Sequence, residues 1–155
     1  MSRKIFIEFP DIKTKFHATL QEEAEPEQCE ALWKVLKNPL KMVCYNTLST
    51  GHFFGADGRP PRHPVKFGSQ AKPIGRGKPL LLCQLDPGMI IYAGGHSLKF
   101  AYGPDITEPL AAPGPVTAIV DKDGLDDLMK AGLSVWNAQF MTHRVVTMIA
   151  GREEV

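Results

Sequence analysis

Two histidines lie where the chain could carry out acid–base chemistry. His52 and His96 each follow a glycine between two predicted strands, and hydroxyl or lysine side chains lie within three residues of each. An imidazole titrates near neutral pH, so it can move a proton in a lyase, isomerase or hydrolase step. Alternatively, each histidine is a turn residue that caps a backbone group. For the catalytic role we expect a pocket at one rim of the fold that brings together His52, His96, Tyr45 and Tyr92.

Further polar side chains near these histidines could bind a substrate. Tyr45, Thr47 and Ser49 alternate with Asn46 along one predicted strand, so only one of the two sets can face a cavity. Arginines of a basic segment further along the chain could bind an anionic group through paired hydrogen bonds. We therefore expect a carboxylate- or amide-bearing metabolite as the ligand. The residues expected to bind it are Asn46, Thr47, Ser49, Arg59, Arg62 and Lys99.

Motifs for several other chemistries are missing from the sequence. No two histidines have the H-x-H or H-x-x-x-H spacing of a metal site, and no Walker or Rossmann glycine motif is present. We therefore predict no metal, no cofactor, and neither redox nor phosphoryl-transfer chemistry. One alternative remains for a metal, namely that the fold brings together His52, His96 and His143, which are distant in sequence.

The cysteines point to a reducing compartment. Cys29, Cys44 and Cys83 form no C-x-x-C pair and lie in apolar runs, so we expect small core residues with reduced thiols. The N-terminus lacks the hydrophobic centre of a signal peptide, and no stretch approaches the roughly 18–20 apolar residues of a membrane span. We therefore expect a cytoplasmic protein that does not associate with membranes.

The composition fits one compact domain that covers residues 1–155. Of these residues 43% are hydrophobic and 23% charged, and 18 basic against 17 acidic residues give a net charge of +1. This balance excludes a uniformly basic nucleic-acid binder. It is also uneven, because residues 56–79 contain six basic residues and one acid, a charge of +5, which leaves −4 elsewhere.

Residue periodicity divides most of the chain into strands. The spacing of Cys29, Leu32 and Leu36 predicts a helix that begins at Pro26, and a second helix begins at Asp123, where Gly132 could interrupt it. Alternating or apolar runs predict strands at 5–9, 16–20, 42–49, 52–55, 80–85, 88–93, 97–102, 116–121 and 142–149. This pattern predicts a mainly β fold, a small closed antiparallel barrel whose openings are covered by two helices.

Residues 56–79 fit neither a strand nor a helix. Five prolines and four glycines in this segment predict a long loop inserted between two barrel strands. Loops of this length in compact domains usually have a function. We expect this basic loop to fold over the pocket as a cationic cover.

Two segments have the pattern of known hairpins. Residues 44–55 place Asn46 to Gly51 between apolar runs, and residues 85–105 contain regularly spaced glycines with Tyr92 and Leu98. The first resembles the N-T-W-G-E-type hairpin, and the second the glycine- and tyrosine-containing hairpin, of the cyclophilin-like families of uncharacterised bacterial and archaeal proteins. The helix near 26–33 and the run 124–147 are also similar, in the same order. The resemblance implies a cyclophilin-like barrel and, by analogy with amide-metabolism enzymes of that fold, a small-molecule enzyme.

The sequence departs from the family motif at functional positions. Leu48, Thr50 and Gly51 stand where the motif has a tryptophan and acidic residues. The arginine-containing strand and the Q-G-G-D segment of true cyclophilins are also missing, which leaves peptidyl-prolyl isomerisation as a remote alternative.

Two other classes of function remain open. In the first, the protein is a non-catalytic binding or assembly module, and its basic loop contacts an acidic surface of a second copy to give a homodimer or a larger oligomer. In the second, the loop binds a polyanion, with Phe67 alone available to stack on a base. In the first class, the acidic surface of the second copy that the basic loop would contact consists of Glu22, Glu23, Glu25, Glu27 and Glu30.

Overall fold

The computed structural model describes residues 2–46, 51–60, 62 and 80–154. In this part of the chain, eight antiparallel strands close into a barrel, with two helices, α1 (Pro26–Val35) and α2 (Leu125–Asn137). The strands are β1 (Lys4–Phe9), β2 (Thr14–Leu20), β3 (Leu40–Asn46), β4 (Gly51–Gly58), β5 (Met89–Tyr92), β6 (Ser97–Ile106), β7 (Val116–Val120) and β8 (Val146–Arg152). Around the barrel their order is β1-β2-β7-β5-β6-β4-β3-β8. The predicted mainly β class with a closed barrel and two helices is confirmed.

Strand alternation forms the interior of the barrel. In β1 every second residue is buried, and Ile5 and Ile7 lie opposite Ala18 and Phe16 of β2. A change of register by one residue would turn these apolar side chains towards solvent, so the hydrophobic pattern specifies the pairing. Aromatic rings fill the centre, where Phe54 stacks on Phe100 with 4.7 Å between ring centroids.

A second apolar cluster lies on the outer face of the same sheet. Phe53 and Ala101 alternate with the inward residues Phe54 and Phe100, so their side chains lie outside the barrel. The segment at 80–85 covers them. It was predicted as a strand, but it contains a 3-10 turn at Leu82–Gln84, since an apolar run of this length specifies burial without specifying strand geometry.

Other element boundaries also differ from the prediction. β4 continues through Gly58, so the expected loop at 56–79 begins later than predicted, and residues 61 and 63–79 of that segment lie outside the described residues. β8 begins at Val146, because α2 continues as a π-helical turn over Ala138–Thr142. Of the three free cysteines, Cys29 and Cys44 are buried as expected, but Cys83 is exposed.

α2 is amphipathic and packs across one end of the barrel. Its buried side contains Leu128, Ala131, Gly132 and Val135. A Cβ atom at Gly132 would lie 2.2 Å from the ring of Tyr102, so this glycine allows the helix to approach the sheet rather than interrupting the helix. No helix of the described residues is long and apolar enough to cross a membrane.

Candidate functional site

A cavity of about 350 Å³ lies where α2 crosses the ends of β4 and β6. Its walls combine aromatic and aliphatic side chains with one carboxylate and one imidazole. Of the residues expected to be catalytic, His52 alone lines it. Among the described residues, those that line it are Gly51, His52, Tyr102, Asp105, Leu133 and Trp136.

The backbone of β6 holds the His52 ring in place. A Cβ atom at Gly103 would lie 2.3 Å from His52 Nδ1, so the imidazole lies in space that only a glycine leaves open. His52 Nδ1 accepts a hydrogen bond from the backbone N–H of Asp105 at 3.2 Å. In the neutral ring this contact assigns the proton to Nε2, which is the nitrogen left for a ligand.

Tyr102 forms an inner wall of the cavity. Its ring centroid lies 5.2 Å from that of His52, and its hydroxyl donates a hydrogen bond to Asn46 Oδ1 at 3.3 Å. Burial raises the pKa of Tyr102 to about 12. The phenol therefore remains neutral at physiological pH, and its ring, which is 1% exposed, packs against His52 at the bottom of the cavity.

Gln139, in the π-helical turn that follows α2, forms hydrogen bonds with the backbone at the end of β3. Its Oε1 accepts a hydrogen bond from the backbone N–H of Asn46, and its Nε2 donates one to the Asn46 carbonyl oxygen, both at 2.6 Å. Asn46 is 3% exposed, so these backbone groups have little access to water. The two bonds place the helical wall of the cavity at a set distance from the sheet.

Leu133 and Trp136 form the outer wall. They are one helical turn apart and are 48% and 43% exposed, respectively. The indole also lies 5.4 Å from the ring of Phe140, which limits its movement. Asp105 is exposed beside this wall and adds a negative charge. Together these groups can hold a flat apolar group, a cationic group and a hydrogen-bond acceptor at the same time.

His96 lies far from this cavity, at the other end of the β4–β6 ladder. Phe53 pairs with Ala101 near the His52 end, and Asp57 pairs with Ser97 beside His96. At about 3.3 Å per residue, the two histidines are roughly 15–20 Å apart along the strands. His96 Nδ1 lies 2.5 Å from the carbonyl oxygen of Arg59. The expectation that both histidines share one rim is therefore wrong, because they cap opposite ends of an antiparallel pair.

Tyr45 and Lys99 lie together on the outer face of the sheet. The Tyr45 ring crosses Gly55, and its hydroxyl accepts a hydrogen bond from Lys99 Nζ. Ser97 donates a hydrogen bond to Asp57 at 2.6 Å in the adjacent row. Burial lowers the pKa of Lys99, although the charge of Asp57 opposes this shift. This polar group is distinct from the cavity that contains His52.

The remaining predicted site residues are also dispersed. Tyr92 is buried and donates a hydrogen bond to the Gly95 carbonyl at 2.7 Å, and burial raises its pKa to about 12. Arg59 and Arg62 are exposed, and neither lines the cavity. Asn46 reaches the cavity only through Tyr102. Two predicted ligand-binding residues, Thr47 and Ser49, lie outside the described residues.

Two further observations limit the alternatives. In the described part of the chain, no three His, Cys, Asp or Glu side chains gather as metal ligands would, so His52, His96 and His143 do not converge there. On the acidic surface, Glu22 and Glu30 already form ion pairs with Arg3 of the same chain, at 2.6 and 3.0 Å.

Of the described cavity residues, the sequence analysis predicted only His52 as a site residue, and it missed Gly51, Tyr102, Asp105, Leu133 and Trp136. Asp105 lies three residues beyond a strand predicted to end at residue 102, and Leu133 and Trp136 lie on a predicted helix. One signal was available for the helical pair. Leu133 and Trp136 fall outside the stripe of small and apolar residues that packs on the barrel, so a second contact surface could have been inferred from them.

Comparison with known proteins identifies the fold. No protein-family model and no curated protein matches the chain. The structure of McbB in complex with tryptophan superposes with a TM-score of 0.77 and 25% identity, over 97% of this chain and 46% of that chain. The present chain thus spans about half the length of the McbB chain.

A second solved structure gives support at the level of fold alone. The solution structure of the hypothetical protein AF2241 from Archaeoglobus fulgidus has a TM-score of 0.55 and 13% identity, over 98% of this chain and 95% of that chain. Both matches support a closed barrel of this architecture. Neither establishes that the barrel is of the cyclophilin-like family.

Proposed function

We propose that the cavity at α2 binds a small aromatic metabolite that carries an amine, and that His52 and Asp105 promote a non-redox acid–base reaction on it. The observation that carries this proposal is the composition of the cavity. One carboxylate and one imidazole, from Asp105 and His52, stand beside an apolar slot lined by Tyr102, Leu133 and Trp136. An aromatic amino acid has this chemistry and also carries the carboxylate expected from the sequence.

The apolar walls suit a flat ring. A volume of about 350 Å³ falls within the range of small-molecule sites. Contacts between aromatic rings add about 0.5–1.5 kcal/mol to the free energy gained by burying their area. Trp136 on the helix, which is 43% exposed, provides such a ring, and the buried Tyr102 ring supports His52 on the sheet side of the cavity.

The charge of the site favours a cationic group on the ligand. Asp105 contributes a carboxylate, and the described lining residues include no lysine or arginine. A hydrogen bond between an ammonium group and a carboxylate is stronger than one between neutral groups. A ligand with an amine therefore fits this cavity better than a ligand that is only anionic. This replaces the expectation that arginine side chains bind an anionic group of the ligand.

His52 supplies the acid–base function. With Nδ1 occupied by the Asp105 N–H, the Nε2–H group donates a hydrogen bond to a carbonyl or carboxyl oxygen of the ligand. A neutral imidazole that polarises a carbonyl makes the adjacent C–H more acidic, and a carboxylate can accept that proton. Asp105 and His52 form such a pair. Proton loss at carbon is the first step of many lyase and isomerase reactions.

The McbB match supports the class of ligand. McbB was solved with tryptophan, and it shares the barrel at 25% identity over nearly the whole of this chain. An indole with an amine is therefore the first ligand to test.

Calorimetric titration provides the test of binding. We expect tryptophan and tryptamine to bind, and indole-3-acetic acid, which has no amine, to bind at least tenfold more weakly than tryptamine. Asp105→Asn should remove that preference. The matched control is Asp57→Asn, which changes an acid of the same strand pair outside the cavity. Absence of binding, or binding independent of Asp105, would contradict the proposal.

Hydrogen exchange provides the test of chemistry. A bound amino acid is incubated in D2O, and loss of the Cα proton is followed by NMR. We expect exchange that depends on His52, and no exchange in His52→Gln even at ligand concentrations that saturate this variant. Binding without exchange would reject the catalytic step and favour the alternative of a non-catalytic binding module.

A further inference from the structure

We infer that the exposed face of α2 forms a symmetric dimer interface, and that the second copy closes the ligand cavity. This α2 face consists of the exposed residues of the helix and its π-helical continuation. It contains Asp126, Lys130, Leu133, Trp136, Asn137, Met141 and Thr142.

Large apolar side chains concentrate on this side of the molecule. Leu133, Trp136 and Met141 are 48%, 43% and 63% exposed. Next to the π-helical turn, Val43 and Val145 are 49% and 70% exposed and line a hollow of about 250 Å³. These are five of the eight large hydrophobic residues that are exposed in the described chain. Contiguous apolar surface of this kind is typical of protein–protein contacts.

The charges of the α2 face are arranged for pairing with its own copy. Asp126 precedes Leu133 by seven residues, and His143 follows Trp136 by seven residues, with Arg144 next to it. In an antiparallel pair about a two-fold axis, Leu133 packs on the second copy's Trp136. Asp126 then lies opposite the second copy's His143 and Arg144. The same contact occurs twice, as a two-fold interface requires.

The helix dipoles favour the same arrangement. Acidic residues occupy the first turn of α2, at Asp126 and Asp127, and the basic pair follows the last turn. Two antiparallel helices bring the positive end of each dipole near the negative end of the other. A parallel arrangement would instead place acid against acid and base against base. The face therefore fits a second copy of this chain in one orientation.

This interface would complete the cavity. Leu133 and Trp136 line the cavity and also lie at the centre of the α2 face. The second copy's Leu133 and Trp136 would therefore lie across the open side of the cavity and shield a ligand from water. This second part of the inference rests on the proposed function, whereas the dimer itself does not.

Sedimentation equilibrium with charge reversal tests the dimer. We expect the full chain, without ligand, to have a mass of about 34 kDa, twice the 17.1 kDa of one chain. Asp126→Arg and Arg144→Asp should each weaken dimerisation at least tenfold, and the double variant should restore it. Circular dichroism checks the fold of each variant. A chain that is monomeric at 100 µM, or a double variant that is not rescued, would overturn the inference.

Ligand affinity then tests closure of the cavity, with tryptophan as the probe. Asp126 and Arg144 do not line the cavity. If the second copy closes it, each single reversal should weaken binding about tenfold and the double reversal should restore it. Equal affinity in dimer and monomer would overturn the closure. Failure of tryptophan to bind the intact dimer would instead contradict the proposed function and leave the interface standing.

Discussion

The two ends of the β4–β6 ladder carry the same kind of residue in different surroundings. His52 and His96 both follow a glycine at a strand terminus. At the first end, α2 crosses the strands and encloses a cavity, and the imidazole lies in the space left by Gly103. At the second, the imidazole contacts the carbonyl oxygen of Arg59 and so caps a backbone group.

Under the proposed function, the surroundings of a turn histidine and not its local sequence decide its role. Both residues satisfied the sequence criteria for a catalytic base, and both satisfied those for a structural cap. The distinguishing feature is a helix about 70 residues further along the chain than His52, which supplies Leu133 and Trp136. Matched substitutions at the two ends can test the distinction.

The largest expected effect is on catalysis. His52→Gln should lower the rate of Cα–H exchange about a hundredfold, because it removes the ring that polarises the ligand in the proposed reaction. His96→Gln should leave the rate within twofold. NMR of a bound amino acid in D2O measures both rates. Equal losses in the two variants would remove the distinction between the two ends.

The next effect is on stability. Gly132→Ala places a methyl group 2.2 Å from the Tyr102 ring, so we expect a loss of about 2 kcal/mol, although alanine favours helices by about 1 kcal/mol. At the His96 end, Gly58→Ala meets the nearest side-chain atom at 3.1 Å and should cost less than about 1 kcal/mol. Urea unfolding measures both values. A more stable Gly132→Ala variant would show that the helix does not approach Tyr102 this closely.

A smaller effect is expected when the His52 ring is displaced without being removed. Gly103→Ala places a methyl group 2.3 Å from Nδ1, so the ring must move away from the Asp105 N–H. Ligand affinity should fall about tenfold, which corresponds to about 1.4 kcal/mol. Calorimetry with tryptophan measures the change. Unchanged affinity would show that the position of His52 does not matter for binding.

Alkaline pH should lower the folding stability to a similar extent through two buried tyrosines, one near each end of the β4–β6 ladder. Burial raises the pKa of Tyr102 and of Tyr92 to about 12, against about 10 in the unfolded chain. Because the folded state keeps these protons longer, the stability they contribute is complete below about pH 10 and is lost as the pH rises towards 12. Tyr102→Phe and Tyr92→Phe should each reduce that loss by a similar amount. Urea unfolding at pH 8 and pH 11 checks this, and a large difference between the variants would show unequal burial.

The sequence predicted the strands where one face is buried and the other is not. β1 and β2 follow directly from alternation, and α1 follows from its apolar spacing and Pro26. The run Leu80–Leu82 could not be assigned in the same way, because Leu80 and Leu82 pack on the outer face of the sheet and a 3-10 turn begins at Leu82. The local pattern of apolar residues indicates which segments are buried, and tertiary contacts then determine whether a buried segment is a strand or a turn.

The cavity could be predicted only in part for a related reason. His52 was found because its residue type and position suggested chemistry. Asp105 has no local signature, and the only signal for Trp136 is its place outside the packed stripe of α2. Both join His52 through the register of β4 with β6 and the crossing of α2. Their distances in space depend on contacts between residues that are far apart in sequence.

The side chain of Gln139 completes the hydrogen bonding of the backbone where one barrel strand, β3, ends. Its side-chain amide offers one acceptor and one donor to the backbone of Asn46, as the peptide group of a neighbouring strand would. The side chain thus supplies the hydrogen bonds of a neighbouring strand for the length of one residue, at a buried position where β3 ends. The Asn46 side chain remains available to hold Tyr102. Asn46 at the end of β3 therefore connects to the π-helical turn after α2 through Gln139 and to β6 through Tyr102. A carboxylate at position 139, which cannot donate, would break one of these connections.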